Sequence, residues 1–236
     1  MIFGIGTDIA GIQRMREVHG RYGGKLAQRM LSPEEWGEYA EARDKDVFLT
    51  KRFAAKIYDE AAQLMSLIED IIRLSQLDEK SSLPEKTRVD LKAIVEEVCQ
   101  RLQPQAQRAD VSLACECESA EILGIPKILE EILQNLIDNA IKYNRHPGSV
   151  QISLKKQGET ATLRVTDTGI GISEEDRPRV FERFYRADRS RSKQIGGTGL
   201  GLSIVKHSAE THGASVHLES QLCVGTTVTV AFPLAE

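Results

Sequence analysis

Three polar residues, Glu131, Asn135 and Asn139, recur at every fourth position of a predicted helix over residues 125–143. This spacing places one carboxylate and two carboxamides on a single helical face. Burying such a stripe without polar partners costs free energy, and its oxygen atoms are ligands that Mg²⁺ accepts alongside phosphate groups. The stripe therefore indicates either a Mg²⁺–phosphate site or a solvated polar face, and the spacing alone leaves both open.

A second polar signal is Asp167, which ends a predicted strand and is followed by Gly169 and Gly171. A carboxylate at a strand end can accept a hydrogen bond from an exocyclic amine. Glycines let the backbone approach a flat base closely. Alone, this short pattern indicates a nucleotide site only weakly.

A glycine-rich segment, residues 196–201, leads into another predicted helix. Backbone N–H groups at a helix start attract phosphate. The segment lacks the Gly-Lys-Ser/Thr of a P-loop and the preceding strand of a dinucleotide fingerprint. The basic residues upstream of it indicate either a lid over phosphates or a solvated loop: Arg186, Arg189, Arg191 and Lys193. Gly225, further along, is expected to serve a hairpin turn.

The elements that must position these residues are antiparallel strands with helices clustered between them, which predicts an α/β two-layer sandwich. Helices are predicted at 91–108, 125–143, 174–182 and 200–212. Residues 88–91 are predicted to be a short strand or a lead-in to the next helix. Strands are predicted at 111–117, in a hairpin of 150–156 with 161–166, and in a second hairpin of 215–219 with 226–232.

An N-terminal helical stem precedes this sandwich. A short strand at 2–9 and a helix over 11–31 broken at Gly23-Gly24 are predicted first. A further helix should begin at residues 32–35, where Ser, Pro and two acids form a start signal, and end near 44–46.

A long helix is predicted over residues 47–78, without a Gly or Pro to interrupt it. Its apolar residues are spaced by four and three in alternation: Ile57, Ala61, Leu64, Ile68 and Ile71. This a/d spacing indicates the seam of a helical hairpin or dimer, and an ordinary amphipathic core helix is the alternative. Residues 81–84 are predicted to be a linker.

The composition of the 236 residues excludes several classes of protein. Hydrophobic residues make up 41% and charged residues 28%, which is a globular balance. The net charge is −4, so charge does not indicate nucleic acid. No apolar run is long enough to span a membrane, and the first ten residues lack the basic start of a secretory signal. Four cysteines are too few for a disulfide scaffold, so a reducing cytoplasm is expected. Cys115 and Cys117 should share one strand face as buried thiols.

Together and in this order, the motifs resemble the ATP-binding catalytic domain of sensor histidine kinases, in the GHKL superfamily with its Bergerat fold. Residues 131–143 resemble the N box, 167–171 the G1 box, 180–186 the F box and 197–201 the G2 box. The resemblance divides the chain into residues 57–80, similar to the second helix of the dimerisation hairpin, and 88–236, the catalytic domain.

The resemblance implies a mixed sheet with helices on one face, binding ATP and Mg²⁺. It implies that Asn139 holds Mg²⁺, that Asp167 binds the adenine amine and that Asn135 and Lys142 lie near the phosphates. Glu131 and Lys142 become candidate catalytic residues. The remaining implied cofactor-binding residues are Tyr143, Gly169, Gly171, Arg186, Gly197, Thr198, Gly199, Leu200 and Gly201.

One part of the family's pattern is missing. The phosphoacceptor histidine of these kinases is followed by an acidic residue and a Thr/Asn-Pro pair, and no histidine here has that context: His19, His146, His207, His212 and His217. His207 and His212 are expected at the surface. We therefore predict that the chain lacks its own phosphoacceptor.

Residues 1–56 instead resemble the start of holo-acyl-carrier-protein synthase, a 4′-phosphopantetheinyl transferase. In that family Asp8 would be one Mg²⁺ ligand and a glutamate after Lys56 the other, but Ile57 stands at the second position. The junction near 53–56 predicts a chimera, whether engineered or recombined.

Three functions remain open. The first is an ATP·Mg²⁺-binding histidine kinase domain that does not autophosphorylate in cis. The others are a synthase-type transferase fragment and an inactive structural chimera. A homodimer through the stem is expected, and a response regulator is the partner implied by the family, although the missing acceptor makes its phosphorylation improbable.

Overall fold

A computed structural model describes residues 8–22, 24–33, 35–79, 83–187 and 197–235. The chain divides into two compact units, one ending at Met65 and the other beginning at Ser66. Within the described residues, no helix combines the length and apolarity that crossing a bilayer requires.

The N-terminal unit is helical. It contains α1 (Asp8–Tyr22), α2 (Gly24–Met30), α3 (Glu35–Glu41) and the first part of α4 (Lys45–Asp78). The break predicted at Gly23-Gly24 agrees with the end of α1 at Tyr22 and the start of α2 at Gly24, and Gly23 itself lies outside the described residues. Of the strand predicted at 2–9, residues 2–7 lie outside the described residues, whereas Asp8 and Ile9 belong to α1, so that prediction is wrong there. Its described neighbours are all helices, which offer a strand no ladder partner.

Short-range capping sets the bounds of α3. The Glu35 N–H donates to Ser32 Oγ at 3.3 Å, and the Ser32 N–H donates to Glu35 Oε2 at 2.8 Å, which is a reciprocal capping box. The helix ends at Glu41, earlier than predicted, because Asp44 caps the next helix instead: its Oδ1 accepts from the N–H groups of Asp46 and Val47.

Helix α4 runs unbroken for 34 residues, which confirms the continuous helix predicted over residues 47–78. Its apolar stripe is exposed within the single chain. The exposed fractions are 54% for Ile57, 58% for Leu64, 43% for Ile68 and 45% for Ile71. Towards its end, Leu74 and Leu77 are buried against Ile125, Ile128, Leu200 and Ile204.

The second unit is built on a mixed five-stranded sheet. Its strands are β2 (Val111–Cys117), β4 (Gly148–Gln157), β5 (Thr160–Asp167), β6 (Ser215–Gln221) and β7 (Gly225–Pro233). They lie in the order β2-β4-β5-β7-β6, in which β2 and β4 are parallel and the other neighbours antiparallel. A separate antiparallel pair joins β1 (Thr87–Asp90) to β3 (Glu121–Gly124), and β3 was not predicted.

One face of the sheet is covered by helices α5 (Leu91–Arg108), α6 (Pro126–Lys142) and α7 (Gly201–Thr211). Alternation along β4 places Val150, Ile152 and Leu154 in the core with Ile132 and Leu133 of α6. The two-layer sandwich with helices on one face is thus confirmed.

Two local predictions in this unit are wrong. Instead of a helix at 174–182 there is a single 3₁₀ turn, Arg177–Arg179. Pro178 has no N–H to continue a helix, and Ser173 Oγ accepts a hydrogen bond from the Asp176 N–H at 3.2 Å. Cys115 is exposed rather than buried and Cys117 is only partly buried, because β2 is an edge strand of the sheet.

Candidate functional site

A cavity of about 900 Å³ opens in the second unit beside α6. Its walls come from the end of α4, from α6, from the β5 end with residues 170–172, and from residues 197–202. Most of the predicted site residues therefore line one space, although they are far apart in the sequence.

Helix α6 supplies one wall. It begins at Pro126, which suits the first turn because its missing N–H would have no helical partner. The polar stripe Glu131, Asn135 and Asn139 lies along the cavity, as do Lys142 and Tyr143. The stripe is therefore not merely a solvated helix face.

The two oxygens of the Glu131 carboxylate have different surroundings. One oxygen forms an ion pair with Arg73, and the other, Oε2, is buried without a hydrogen-bond partner among the described residues. Burial raises the pKa of Glu131, while the charges of Arg73 and Lys127 oppose the shift. An orphaned buried oxygen is a position where a metal, a water or a donor group would be accepted.

The ammonium group of Lys142 is engaged within its own helix. Its Nζ lies 2.6 Å from Asp138 Oδ2, and Asp138 Oδ1 accepts a hydrogen bond of 2.6 Å from Gln105 of α5. Lys142 thus lines the cavity but is paired with a carboxylate.

Asp167 ends β5 at the cavity. Its Oδ1 accepts hydrogen bonds from the N–H groups of Gly169 at 2.8 Å and Thr226 at 3.2 Å. These bonds fix the carboxyl group and leave Oδ2 able to accept another donor. Burial raises the pKa of Asp167, and the two backbone hydrogen bonds oppose that shift.

The glycines after Asp167 serve backbone packing. A Cβ on Gly169 would collide with the carbonyl oxygen of Tyr143, and one on Gly171, whose φ is +68°, would collide with that of Gln221. These glycines were predicted to let the backbone approach a base closely. In the structure they instead let two segments of the protein backbone approach each other. Gly225 likewise packs against the Asp167 carbonyl, which brings the Thr226 N–H to Asp167.

Residues 197–199 and 201 form another part of the cavity wall. A Cβ on Gly197 would lie 2.9 Å from the Tyr143 hydroxyl, and one on Gly201 would lie 2.9 Å from Asn135 Oδ1. Gly199 has a φ of +74°, Leu200 is fully buried, and α7 begins at Gly201. Arg186 also lines the cavity, whereas Arg189, Arg191, Lys193 and Gly196 lie outside the described residues.

Helix α4 contributes cavity residues that sequence analysis missed. Thr198 Oγ1 donates to Asp70 Oδ2 at 2.8 Å, and Arg73 pairs with Glu131. Burial raises the pKa of Asp70, opposed by the Thr198 hydrogen bond. The predicted apolar seam lies on the opposite face of this helix, so the seam pattern did not identify Asp70 or Arg73.

Two predicted positions fall elsewhere. Asp8 belongs to α1 in the N-terminal unit, whereas the cavity residues belong to the second unit. His212 is buried, not exposed: its Nε2 accepts from the Ile125 N–H at 3.0 Å and its Nδ1 contacts the Ser208 carbonyl at 2.7 Å. Burial lowers the pKa of His212.

Comparison with known proteins supports an ATPase domain. Residues 124–236 match the family described as histidine kinase-, DNA gyrase B-, and HSP90-like ATPase. The sensor-like histidine kinase SenX3 of Mycolicibacterium smegmatis is 40% identical over 195 residues, covering 82% of this chain and 50% of SenX3. The chain thus spans about half the length of this curated relative.

Solved structures agree on the fold. The mycobacterial sensor histidine kinase MprB matches with a TM-score of 0.56 at 27% identity, over 63% of this chain and 97% of that one. Histidine kinase ThkA, solved in complex with the response regulator TrrA, matches with a TM-score of 0.60 over 95% of this chain and 59% of that one. At 18% identity, the second likeness concerns the fold alone.

Proposed function

We propose that this chain is the ATP·Mg²⁺-binding part of a two-component sensor histidine kinase without its own phosphoacceptor, because residues 124–236 match the family of histidine kinase-, DNA gyrase B- and HSP90-like ATPases. The observation that carries the proposal is the shared cavity, in which Asp167, Asn139 and Gly201 line one space. Its volume of about 900 Å³ suits a ligand of nucleotide size.

In this proposal Asp167 recognises the adenine. Its Oδ1 is occupied by two backbone N–H groups, so Oδ2 accepts the hydrogen bond of the adenine amine. Gly169 and Gly171 act indirectly, because they let the chain turn tightly enough to hold Asp167 in place.

The phosphates and Mg²⁺ would lie along α6. Asn139 offers a carboxamide oxygen to Mg²⁺, and Asn135, Lys142, Tyr143 and Arg186 line the same space. The N–H groups of residues 197–201, at the start of α7, are donors for phosphate oxygens. Bound there, ATP would supply the transferable phosphoryl group, and Mg²⁺ would neutralise part of its charge.

Two side chains are candidates for the transfer step. We assign Glu131 the role of accepting a proton from an incoming nucleophile, because burial raises its pKa and its Oε2 has no hydrogen-bond partner among the described residues. Lys142 would stabilise phosphate charge once it exchanges Asp138 for the nucleotide.

The missing phosphoacceptor is supported by the surroundings of the histidines. His19 is held between Asp46 at 2.6 Å and the Tyr39 hydroxyl at 3.0 Å. Both ring nitrogens of His212 are occupied. His207 contacts the Ser203 carbonyl and Arg183, whereas His146 follows the N-box helix and His217 stands on a strand. None occupies an exposed site on a hairpin helix.

We further infer that residues 1–56 are a remnant of a holo-acyl-carrier-protein synthase joined to the kinase sequence. The junction lies inside α4, whose helix continues through it without a break. With Ile57 at the second ligand position, the remnant keeps one carboxylate, Asp8, where that transferase needs two. We therefore assign it no transferase activity.

A homodimer through α4 completes the proposal. The exposed stripe of Ile57, Leu64, Ile68 and Ile71 would be buried against the same helix of a second chain. Use of ATP and four reduced cysteines favour the cytoplasm. Phosphorylation of a response regulator is not expected without an acceptor histidine.

Two measurements on the same protein test this function. A titration with a non-hydrolysable ATP analogue should show binding that strengthens with Mg²⁺. Incubation with radiolabelled ATP should leave no acid-labile phosphate on the chain alone. A complete kinase hairpin, added in trans, is the positive control for transfer. Absence of nucleotide binding, or acid-labile phosphate on the isolated chain, contradicts the proposal.

A further inference from the structure

Three cysteines cluster on the side of the sheet that α5 covers, away from the residues assigned to nucleotide. Cys115 and Cys117 alternate along β2, so both side chains point to the same face, and their sulfur atoms are 3.3 Å apart. The Cys99 thiol of α5 is the other thiol that affects the pKa of Cys115.

The three thiols differ in their access to solvent. Cys115 is exposed and Cys117 is partly buried, whereas Cys99 is only 7% exposed beneath them. This gradient follows from the position of β2 at the end of the sheet order. A small reagent in solution can therefore reach Cys115 directly.

The surroundings of Cys115 favour its thiolate. Hydrogen bonds from Cys117 and then Cys99 lower the pKa of Cys115, partial burial opposes them, and Lys92 of α5 adds a favourable charge. Glu96, one turn along α5 and 3.7 Å from Lys92, is the opposing charge near the cluster. On β4, the neighbours of Cys115 and Cys117 are the apolar residues Ile152 and Leu154.

We propose that Cys115 and Cys117 form a redox-active thiol pair that a hydroperoxide oxidises to an intramolecular disulfide. The Cys115 sulfur attacks a peroxide oxygen, the O–O bond breaks, and a sulfenic acid and one water form. The Cys117 sulfur then attacks the Cys115 sulfur, the S–O bond breaks and a second water leaves. Two thiols thereby lose two electrons and two protons, and hydrogen peroxide becomes two waters.

Strand geometry permits this bond. Residues two apart on a strand have Cα atoms roughly 6.6 Å apart, at the upper end of the roughly 4.4–6.8 Å range of disulfides. Both side chains already lie on one face, so the sulfurs approach without a change of register. A disulfide at the limit of its range is easily reduced, which suits a reversible site.

Mass spectrometry of the full chain tests the proposal. The reduced protein is treated with an equimolar amount of hydrogen peroxide, alkylated and digested with trypsin. Cys115 and Cys117 share the peptide 109–127, whereas Cys99 lies in the peptide 93–101. We expect the peptide 109–127 to lose two hydrogens, and dithiothreitol to restore them. In Cys117→Ser, we expect instead a sulfenic acid on Cys115 that a 1,3-dicarbonyl reagent traps.

Cys223, which is exposed between β6 and β7, serves as the control within the same molecule. Oxidation of Cys115 no faster than that of Cys223, or a link between the peptides 93–101 and 109–127, overturns the assignment. Alkylation of Cys115 by iodoacetamide should slow by less than about tenfold from pH 7 to pH 5, whereas an ordinary thiol slows about 100-fold. A 100-fold loss at Cys115 also counts against the pair.

Discussion

Replacement of Asp167 by asparagine is the most direct test of the proposed adenine contact. The N–H groups of Gly169 and Thr226 both point at Oδ1, so the variant keeps these bonds only when its carbonyl oxygen takes the Oδ1 position. The amide NH₂ must then occupy the position of Oδ2. A donor would therefore face the adenine amine, which is itself a donor.

The expected loss follows from this reversal. A hydrogen bond to a charged acceptor contributes roughly 1.5–3 kcal/mol, so ATP affinity should fall by about 10- to 150-fold. Folding should not suffer, because burial raises the pKa of Asp167 and its ionised form is therefore less favourable in the fold than in the unfolded chain at neutral pH. The variant should melt within a few degrees of the wild type.

Titration with ATP and with inosine triphosphate distinguishes this mechanism from general damage. Inosine presents a carbonyl oxygen where adenine has its amine. The ratio of inosine triphosphate affinity to ATP affinity should therefore be higher for Asp167→Asn than for the wild type. Asp110→Asn, at an exposed turn with φ of +50°, is the matched control and should change neither affinity. Equal ATP binding by wild type and Asp167→Asn would refute the assignment.

Three further outcomes are expected. Asn139→Ala should abolish most of the Mg²⁺-dependent gain in ATP-analogue affinity while leaving Mg²⁺-free binding nearly unchanged; an unaltered Mg²⁺ titration contradicts the metal role. On acidification, ATP affinity should begin to fall at a higher pH than it would if the contact were made by an aspartate with an ordinary pKa. Burial raises the pKa of Asp167, and protonation removes its hydrogen-bond acceptor. Asp167→Asn should lose this pH dependence. Ile68→Asp should convert a dimer into monomer in sedimentation, since the half-exposed stripe stands to gain roughly 3–6 kcal/mol per chain on burial; a wild type that is monomeric at micromolar concentration contradicts the seam.

Periodicity predicted most of the second unit because burial and alternation agree there. In β4 every second residue from Val150 to Leu154 is buried, and α5 begins and ends where its pattern does. The failures have local causes that periodicity does not report. The segment 174–182 carries helix-like residues, but Pro178 and the Ser173 hydroxyl end the turn. β3 has four residues, too few for an alternation to be recognised.

The sequence motifs predicted which residues line the candidate site, but not which residues hold them in place. Asp167 and the stripe on α6 have distinctive neighbours in the sequence. Thr226 does not: it contributes only a backbone N–H, which any residue except proline has. The buried ring of His212 accepts a hydrogen bond from the backbone N–H of Ile125, 87 positions away. Such contacts come from the tertiary fold and leave no local pattern.

Helix α4 shows how one pattern can conceal another. Residues advance by about 100° per position on a helix, so Asp70 lies about 160° from Ile68 and Arg73 about 60° from Asp70. The polar pair therefore shares the face opposite the exposed stripe, where it contacts Thr198 and Glu131. The apolar spacing of this helix accounts for only one of its faces. The polar residues on the other face line the cavity, and their spacing of three was present in the sequence from the start.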